Sequence, residues 1–427
     1  MGAAVRQKKS GRPKPQMNAD EHRLNSEPGG QPPARVNRRA SAVACGQRRV
    51  WLELEDGARF AGTSFGHFGS TSGEVVFNTS MVGYVESLTD PSYRGQILVM
   101  TYPLIGNYGV PAAAERDRFE SDRIQVAGFA VARAHNDTSH AGAARSLPSW
   151  LAEEGIPGIE GIDTRNLTIR LREHGTMLGK IVPEEGEKEE GRKGERDKGI
   201  EHPNPPLDPS TPQSLGPPLP HSFFDPNKMN IVATVCVKKP ESLGKGRKRV
   251  VLVDCGVKHS IRRELVSRNV EVLQVPADYD YSGEAFDGVL LSNGPGNPEQ
   301  CGATVEVLRR AMTRNRPIFG ICLGCQLLAL AAGARTYKLR YGHRGQNQPC
   351  REKGKDRCRL TSQNHGYAVD RETLPSDWQE WFENANDGSV EGIRHKTKPF
   401  SAVQFHPEAS PGPLDSRDLF DRFVELL

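Results

Sequence analysis

Cys322 stands between two glycines, in Gly320-Ile321-Cys322-Leu323-Gly324, with an apolar run before it and another after it. A glycine-flanked nucleophile at a strand-to-helix turn is a nucleophile elbow. The small glycines permit a sharp turn that lifts the central side chain above the sheet. The following helix would bring its N-terminal partial positive charge near the sulfur, favouring thiolate, the form that attacks. Such a thiolate needs a proton shuttle. His406-Pro407-Glu408 offers an imidazole that can protonate a leaving amine and activate water, with a carboxylate two residues on that can hold its tautomer. A third stretch, Asn293-Gly294-Pro295-Gly296-Asn297-Pro298, has glycines that can bring backbone N–H groups up to a developing oxyanion. The chemistry these groups imply is acyl transfer through a thioester. Each also has a plainer reading: a buried structural cysteine, a surface-loop histidine, an ordinary turn. Their order along the chain, each at the end of an expected strand, argues for one joint site.

The elements that would position them alternate. From about residue 248, RVVLVDCG reads as a buried strand, HSIRRELVSRN as a helix, EVLQVPA as a strand and FDGVLLSNGPG as a strand entering a loop. ATVEVLRRAMTRN is a helix, PIFGICLG a strand and CQLLALAAGA a helix ended by glycine. Strand–helix alternation predicts an α/β domain over 248–427: an open, mostly parallel sheet with helices on both faces and ligands at the strands' carboxyl ends. Two later strands are expected around NHGYAVD and PFSAVQFHPE. Ahead of it, residues 49–183 predict a smaller, strand-rich mixed domain. WLELEDGARFAG reads as a hairpin turning at Glu55-Asp56-Gly57, and GEVVFNTS, QILVMTYPLIG and QVAGFAVARAH as strands. SLPSWLAEEG and RNLTIRLREHG read as helices stopped by Gly155 and Gly175, the second capped near Asp163. Residues 1–48 read as a disordered basic tail and 184–226 as a disordered charged, Pro-rich insert. Residues 227–247 form a connection in which NIVATVCV reads as a strand.

Composition sets bounds. The 427 residues suit two folded domains plus polar segments, which the 36% hydrophobic content reflects. A net charge of +4 is too mild to imply nucleic-acid binding. The chain has no apolar run of about 18 residues, so no membrane span is expected. It also has no secretory h-region. Eight scattered cysteines fit a reducing, cytoplasmic compartment. A mitochondrial or plastid address is the alternative if the Arg-rich tail is a transit peptide. Asp20, Glu21 and Glu27 argue against that.

LSNGPGNP, GICLGCQLLALAAGA and QFHPE match, in order, three signature regions of the class I (triad) glutamine amidotransferases, which the chain resembles. The resemblance implies Cys322 as nucleophile, His406 as base, Glu408 as its orienting partner, and oxyanion donors at the N–H groups of Leu323 and the Gly294 loop. GEVVFNTSMVGYVESLTDPSYRGQILVMTYPLIGNYG and GIPGIEGIDTRNLTIRLREHGTMLGKIV resemble the N-terminal domain of the carbamoyl-phosphate synthetase small subunit. VDCGVKHSIRREL, KLRYGHRGQNQPC, TSQNHGYAVD and HPEASPGP continue that likeness, which is nearest in wording to eukaryotic pyrimidine-pathway enzymes. It spans roughly 50–183 and 226–427. It implies that glutamine is held by Ser92, Gly294, Gly296, Leu323, Gln326, Asn364, Gly366 and Tyr367. It further implies that ammonia passes to a synthetase, either a large subunit or fused domains. Carbamoyl phosphate for pyrimidine or arginine synthesis would be made there. On this reading glutamine hydrolysis needs no metal or cofactor, and the partner uses ATP with Mg and bicarbonate. The chain has no P-loop of its own. Rival readings are an amidotransferase serving another synthetase, a silent regulatory subunit, and a cysteine peptidase or glutamyl hydrolase. Cys325 departs from the family pattern and creates Cys322-x-x-Cys325. That spacing also suits a redox pair or half a zinc site, and a reversible Cys322–Cys325 disulfide is one expectation. Cys255 reads as core. His343, His365 and His395 read as loop or structural residues, with no ligand cluster apparent from spacing.

Overall fold

The computed structural model describes residues 48–138, 140–184 and 222–427; the basic tail and most of the charged insert read from the sequence lie outside the described residues. Strands β1 (Arg49–Leu54), β2 (Arg59–Gly66), β3 (Thr71–Asn78), β4 (Gln96–Met100), β5 (Gly128–Val131), β6 (Pro157–Glu160) and β7 (Met177–Pro183) close into a barrel in the order β1-β2-β6-β5-β4-β3-β7. The expected hairpin joins β1 to β2. Gly57 takes φ +87°, which glycine adopts without strain, and Asp56 Oδ1 accepts the Ala58 N–H at 3.0 Å. Val50, Leu52 and Leu54 alternate inward from β1 and pack with Val75, Ile97, Ile159 and Ile181. Around the barrel lie α1 (Tyr84–Thr89), α2 (Leu147–Glu153) and α3 (Thr164–His174). Asp163 caps α3 by accepting the Asn166 N–H at 2.9 Å.

NIVATVCV is not a strand. Ile231–Thr234 form a 3-10 turn, because the Thr234 hydroxyl donates back to the Ile231 carbonyl at 2.8 Å and Ile231 and Val232 are buried side by side. Without period-two alternation these residues have no polar face to leave outside.

The second sheet has ten strands: β8 (Glu241–Leu243), β9 (Lys248–Asp254), β10 (Val270–Pro276), β11 (Gly288–Leu291), β12 (Ile318–Ile321), β13 (Thr336–Glu352), β14 (Cys358–Val369), β15 (Trp378–Asn384), β16 (Val390–His395) and β17 (Phe400–Val403). They lie in the order β14-β13-β15-β16-β17-β12-β11-β9-β10-β8. The run β17-β12-β11-β9-β10 is parallel, and the flanking strands join it antiparallel. Helices α5 (Gly302–Met312) and α6 (Leu323–Ala332) cover one face through Val305, Leu308 and Leu327. Helices α4 (His259–Val266) and α7 (Asp418–Glu425) cover the other through Ile261, Leu265, Leu419 and Phe420. The parallel core is therefore apolar on both sides, as the unbroken strand hydrophobicity predicts. The antiparallel flank is larger than expected. The 17-residue β13 breaks register at two places, between Lys338 and His343 and between Gly345 and Gln348, which erases the alternation that would mark it as a strand.

Candidate active site

Three neighbouring parallel strands carry the candidate residues. The 293–298 loop follows β11, Cys322 follows β12, and His406 lies just beyond β17, so all three arrive at one edge of the sheet. Cys322 has φ +54° and ψ −104°, a strained conformation for a side-chain-bearing residue. It leads straight into α6. The elbow closes only because its neighbours are glycines. A Cβ on Gly320 would lie 2.5 Å from the Gly324 oxygen, and one on Gly324 would lie 2.3 Å from the Leu291 oxygen. Gly294 is pressed equally hard, with the Cys255 oxygen 2.0 Å from where its Cβ would be.

The Cys322 thiol is buried and donates to the Asn364 carbonyl oxygen at 3.6 Å. His406 Nδ1 donates to Glu408 Oε1 at 2.6 Å, while its Nε2 has no hydrogen-bond partner. Burial disfavours charge on the imidazole. The Glu408 carboxylate, then the Cys322 sulfur, outweigh it and push the His406 pKa up to about 10. Burial likewise opposes ionised Glu408, yet Lys258 and then His406 hold its pKa at about 2. The ring orientation is thereby fixed through Nδ1, with its outer nitrogen turned toward the Cys322 sulfur.

One cavity collects most of the residues expected to hold glutamine. Cys322, Ser92, Gly294, Gly296, Gln326, Asn364, Gly366 and Tyr367 all line it. Leu323 does not line it through its side chain, which packs in the core beneath. Its backbone N–H and that of Gly294 take part in no hydrogen bond among the described residues, so both remain available as donors. Gln326 Nε2 donates to the Tyr367 oxygen at 3.0 Å and to Gln404 Oε1 at 3.1 Å, which pins the helix to β14 and the strand end of β17. Ser92 comes from the barrel, and its hydroxyl accepts from Asn293 Nδ2 at 2.9 Å.

Comparison with known proteins bears on this arrangement. Residues 52–181 match the family model described as carbamoyl-phosphate synthase small chain, CPSase domain, and residues 251–426 match glutamine amidotransferase class-I. The chain is 47% identical over 407 residues to the carbamoyl phosphate synthase arginine-specific small chain of Aspergillus clavatus, covering 92% of this chain and 83% of that one. The chain belongs to the carbamoyl-phosphate synthase small-chain family. It is also 48% identical over 404 residues to the multifunctional protein pyr-3 of Neurospora crassa, covering 88% of this chain and 21% of that one. To the multifunctional protein CAD of Squalus acanthias it is 46% identical over 382 residues, covering 88% of this chain and 16% of that one. The chain thus spans about a fifth or less of these multifunctional relatives.

Within this small-chain fold, several polar residues that carry no local motif turn out to build the site. Lys258, the N-cap residue of α4, is 3% exposed. Its Nζ donates to Glu408 Oε1 at 3.0 Å and to the Ala409 oxygen at 2.7 Å. Asp90 caps the 3-10 turn Pro91–Tyr93 by accepting the Ser92 N–H at 2.9 Å, and its other oxygen accepts from Asn364 Nδ2 at 3.0 Å. Arg344 and Glu74 also line the cavity, both buried. The only sequence signal for them is a charged residue inside an otherwise apolar or motif-bearing stretch.

Two expectations need correction or refinement. Cys325 is wholly buried on α6 among core residues, and burial raises its thiol pKa well above the ordinary value, so it is no ready thiolate; both Cys322 and Cys325 are free. His343 and His365 are not loop residues. They lie on β13 and β14 and meet Glu391 of β16 with ligand atoms within 4.8 Å of one another, a cluster that spacing did not suggest. His343 Nε2 donates to Asp387 at 2.9 Å and Nδ1 to Glu391 at 3.2 Å, while His365 Nδ1 donates to the Tyr367 oxygen at 2.8 Å. Burial opposes charge on His343, but Asp387 and Glu391 push its pKa up to about 9. The cluster as it stands is a hydrogen-bonded ion network bracing the strand that carries Asn364 and Tyr367.

Proposed function

We propose that this chain hydrolyses glutamine to glutamate and ammonia and supplies the ammonia to a carbamoyl-phosphate synthetase. The observation that carries the reading is the strained Cys322, whose sulfur faces a cavity shared with Ser92, Gln326 and Asn364 and lies beside a His406–Glu408 pair. In this mechanism the proton of Cys322 rests on His406 Nε2, as the raised imidazole pKa favours, and the thiolate attacks the carboxamide carbon. The oxyanion is met by the N–H groups of Leu323 and Gly294. His406 then returns the proton to the departing nitrogen, the C–N bond breaks and ammonia leaves. Water, deprotonated by His406, attacks the thioester carbon. The C–S bond breaks, glutamate leaves, and the thiol is restored. Glu408 keeps the imidazole in the required tautomer throughout.

A second small cavity is lined by His406, Ser80, Gln346 and Pro411. Met81 and Val82, next in the chain after Ser80, are 64% and 57% exposed, and two apolar side chains left in water there suit a docked synthetase. The relatives offer two forms for that partner: a separate large subunit or synthetase domains fused to the same polypeptide. ATP, Mg and bicarbonate belong to its half of the reaction. The reading is tested by glutamate release from the purified chain, alone and with a carbamoyl-phosphate synthetase. Release that depends on Cys322 and supports carbamoyl phosphate formation is the expected result. Absence of both, or peptide cleavage instead, would refute it.

A further inference from the structure

Glu120 lies in the barrel half, outside every motif that marks the site. It is wholly buried. Its Oε1 accepts from Ser410 Oγ at 2.6 Å and from Arg263 Nη2 at 3.2 Å. Its Oε2 accepts from the Ser260 N–H at 3.1 Å and from Ser260 Oγ at 2.5 Å. Its backbone carbonyl accepts the His259 N–H at 2.9 Å. One residue therefore grips the first turn of α4 and the segment just after Glu408 together.

Both of these places need an outside partner. The N-cap residue of α4, Lys258, gives its helix no side-chain cap, so the first N–H groups would otherwise be orphaned. Glu120 supplies the missing acceptors from another part of the chain. Ala409 and Ser410 take φ of +57° and +49°, the left-handed region that residues with a Cβ seldom enter. Surrounding contacts must hold them there. Lys258 spans the gap between the two, from the start of α4 to Glu408 Oε1 and the Ala409 oxygen.

We propose that Glu120 is a positioning residue for the triad: by tying Ser260 and Ser410 to one carboxylate it sets the spacing between Lys258 and the 408–410 segment, and so where Glu408 meets His406. This rests on the reading of the site as a glutaminase. Glu120 touches no substrate-facing atom, so its contribution falls on turnover and not on glutamine binding. The barrel then governs the alignment of an imidazole that belongs to the sheet domain.

The experiment is steady-state glutamine hydrolysis by Glu120→Ala, Glu120→Gln and Ser410→Ala, beside the unaltered chain and Cys322→Ala. A misplacement of about 1 Å at a reacting group can lower rate by about a hundredfold. Glu120→Ala is expected to lower kcat by about tenfold or more on that scale, with KM within about twofold of the unaltered chain. Glu120→Gln, which keeps one acceptor oxygen, should recover part of the loss, and Ser410→Ala should lose a few-fold in kcat. A folded Glu120→Ala with unchanged kcat, or with its whole defect in KM, overturns the inference. If Glu120→Ala does not fold, Ser410→Ala decides, and unchanged kcat there overturns it as well. An unaltered chain without Cys322-dependent glutaminase removes the site reading and this inference together. An active chain indifferent to these substitutions removes the inference alone.

Discussion

In the sheet domain, Cys322, the 293–298 loop and His406 lie beyond the carboxyl ends of three adjacent parallel strands, whereas the barrel reaches the same cavity with the short turn Pro91–Tyr93 and with Glu74 of β3 and Gln96 of β4. Topology alone brings the first set together, because parallel neighbours point their ends the same way. The barrel's share depends on docking. Asp90 must meet Asn364, a contact 274 residues apart in sequence, and Ser92 must meet Asn293, 201 apart. The comparison teaches that reactive groups sit where a fold cannot avoid placing them. Asp90, Ser92 and Glu120 reach the site from across a seam, where their placement can be altered without touching Cys322.

The division of labour can be broken most directly at Cys322. Cys322→Ala should lower glutamate release by about a thousandfold or more while leaving the melting temperature little changed, since it deletes the proposed nucleophile and keeps the Cβ that makes φ +54° strained. Appreciable residual turnover would place the chemistry elsewhere. Lys258→Met comes next. Removing one partner of a buried ion pair costs about 3–5 kcal/mol, so calorimetry should show a marked fall in thermal stability together with loss of turnover; a stable, active variant would remove Lys258 from the account. Asp90→Ala tests the seam itself. Leaving the Asn364 amide without its buried acceptor costs about 1–3 kcal/mol, and KM for glutamine should rise because Asn364 lines the cavity. An unchanged KM would show that the barrel's turn is not needed to shape the pocket.

The smallest expected effect is in pH dependence. His406 is raised from 6.5 to about 10, so the stability it lends is complete below about pH 6.5 and fades as pH climbs to about 10. Glu408 is lowered from 4.5 to about 2, so its contribution is complete above about pH 4.5 and fades as pH falls to about 2. The gap in melting temperature between the unaltered chain and Glu408→Gln should therefore be widest between about pH 4.5 and 6.5 and narrow on either side. A gap that keeps widening above pH 8 would contradict the assigned charges.

Much of the sheet domain was legible because its signals are local. The strand–helix alternation through 248–332 and the stop at Gly333 correspond to the observed elements within a residue or two, as do the helix stops at Gly155 and Gly175 beside the barrel. The broken register of β13, the 3-10 turn at Ile231–Thr234 and the closure of the barrel were not legible, since each is decided by partners far along the chain. The same holds within the site. Cys322 and the His406–Glu408 pair announce themselves by flanking glycines and two-residue spacing. Lys258, 150 residues from Glu408, has no such neighbour to betray it.

By itself, then, the sequence determined the kind of turn on which Cys322 and the 293–298 loop stand, because backbone sterics and hydrophobic periodicity act over a few residues. Only the tertiary structure decided that Lys258, Asp90 and Glu120 serve them. A buried charge is tolerated only where a partner meets it; Asp90 and Glu120 are brought to theirs by the packing of barrel against sheet and Lys258 by the packing of α4 on its own sheet, not by their order in the chain.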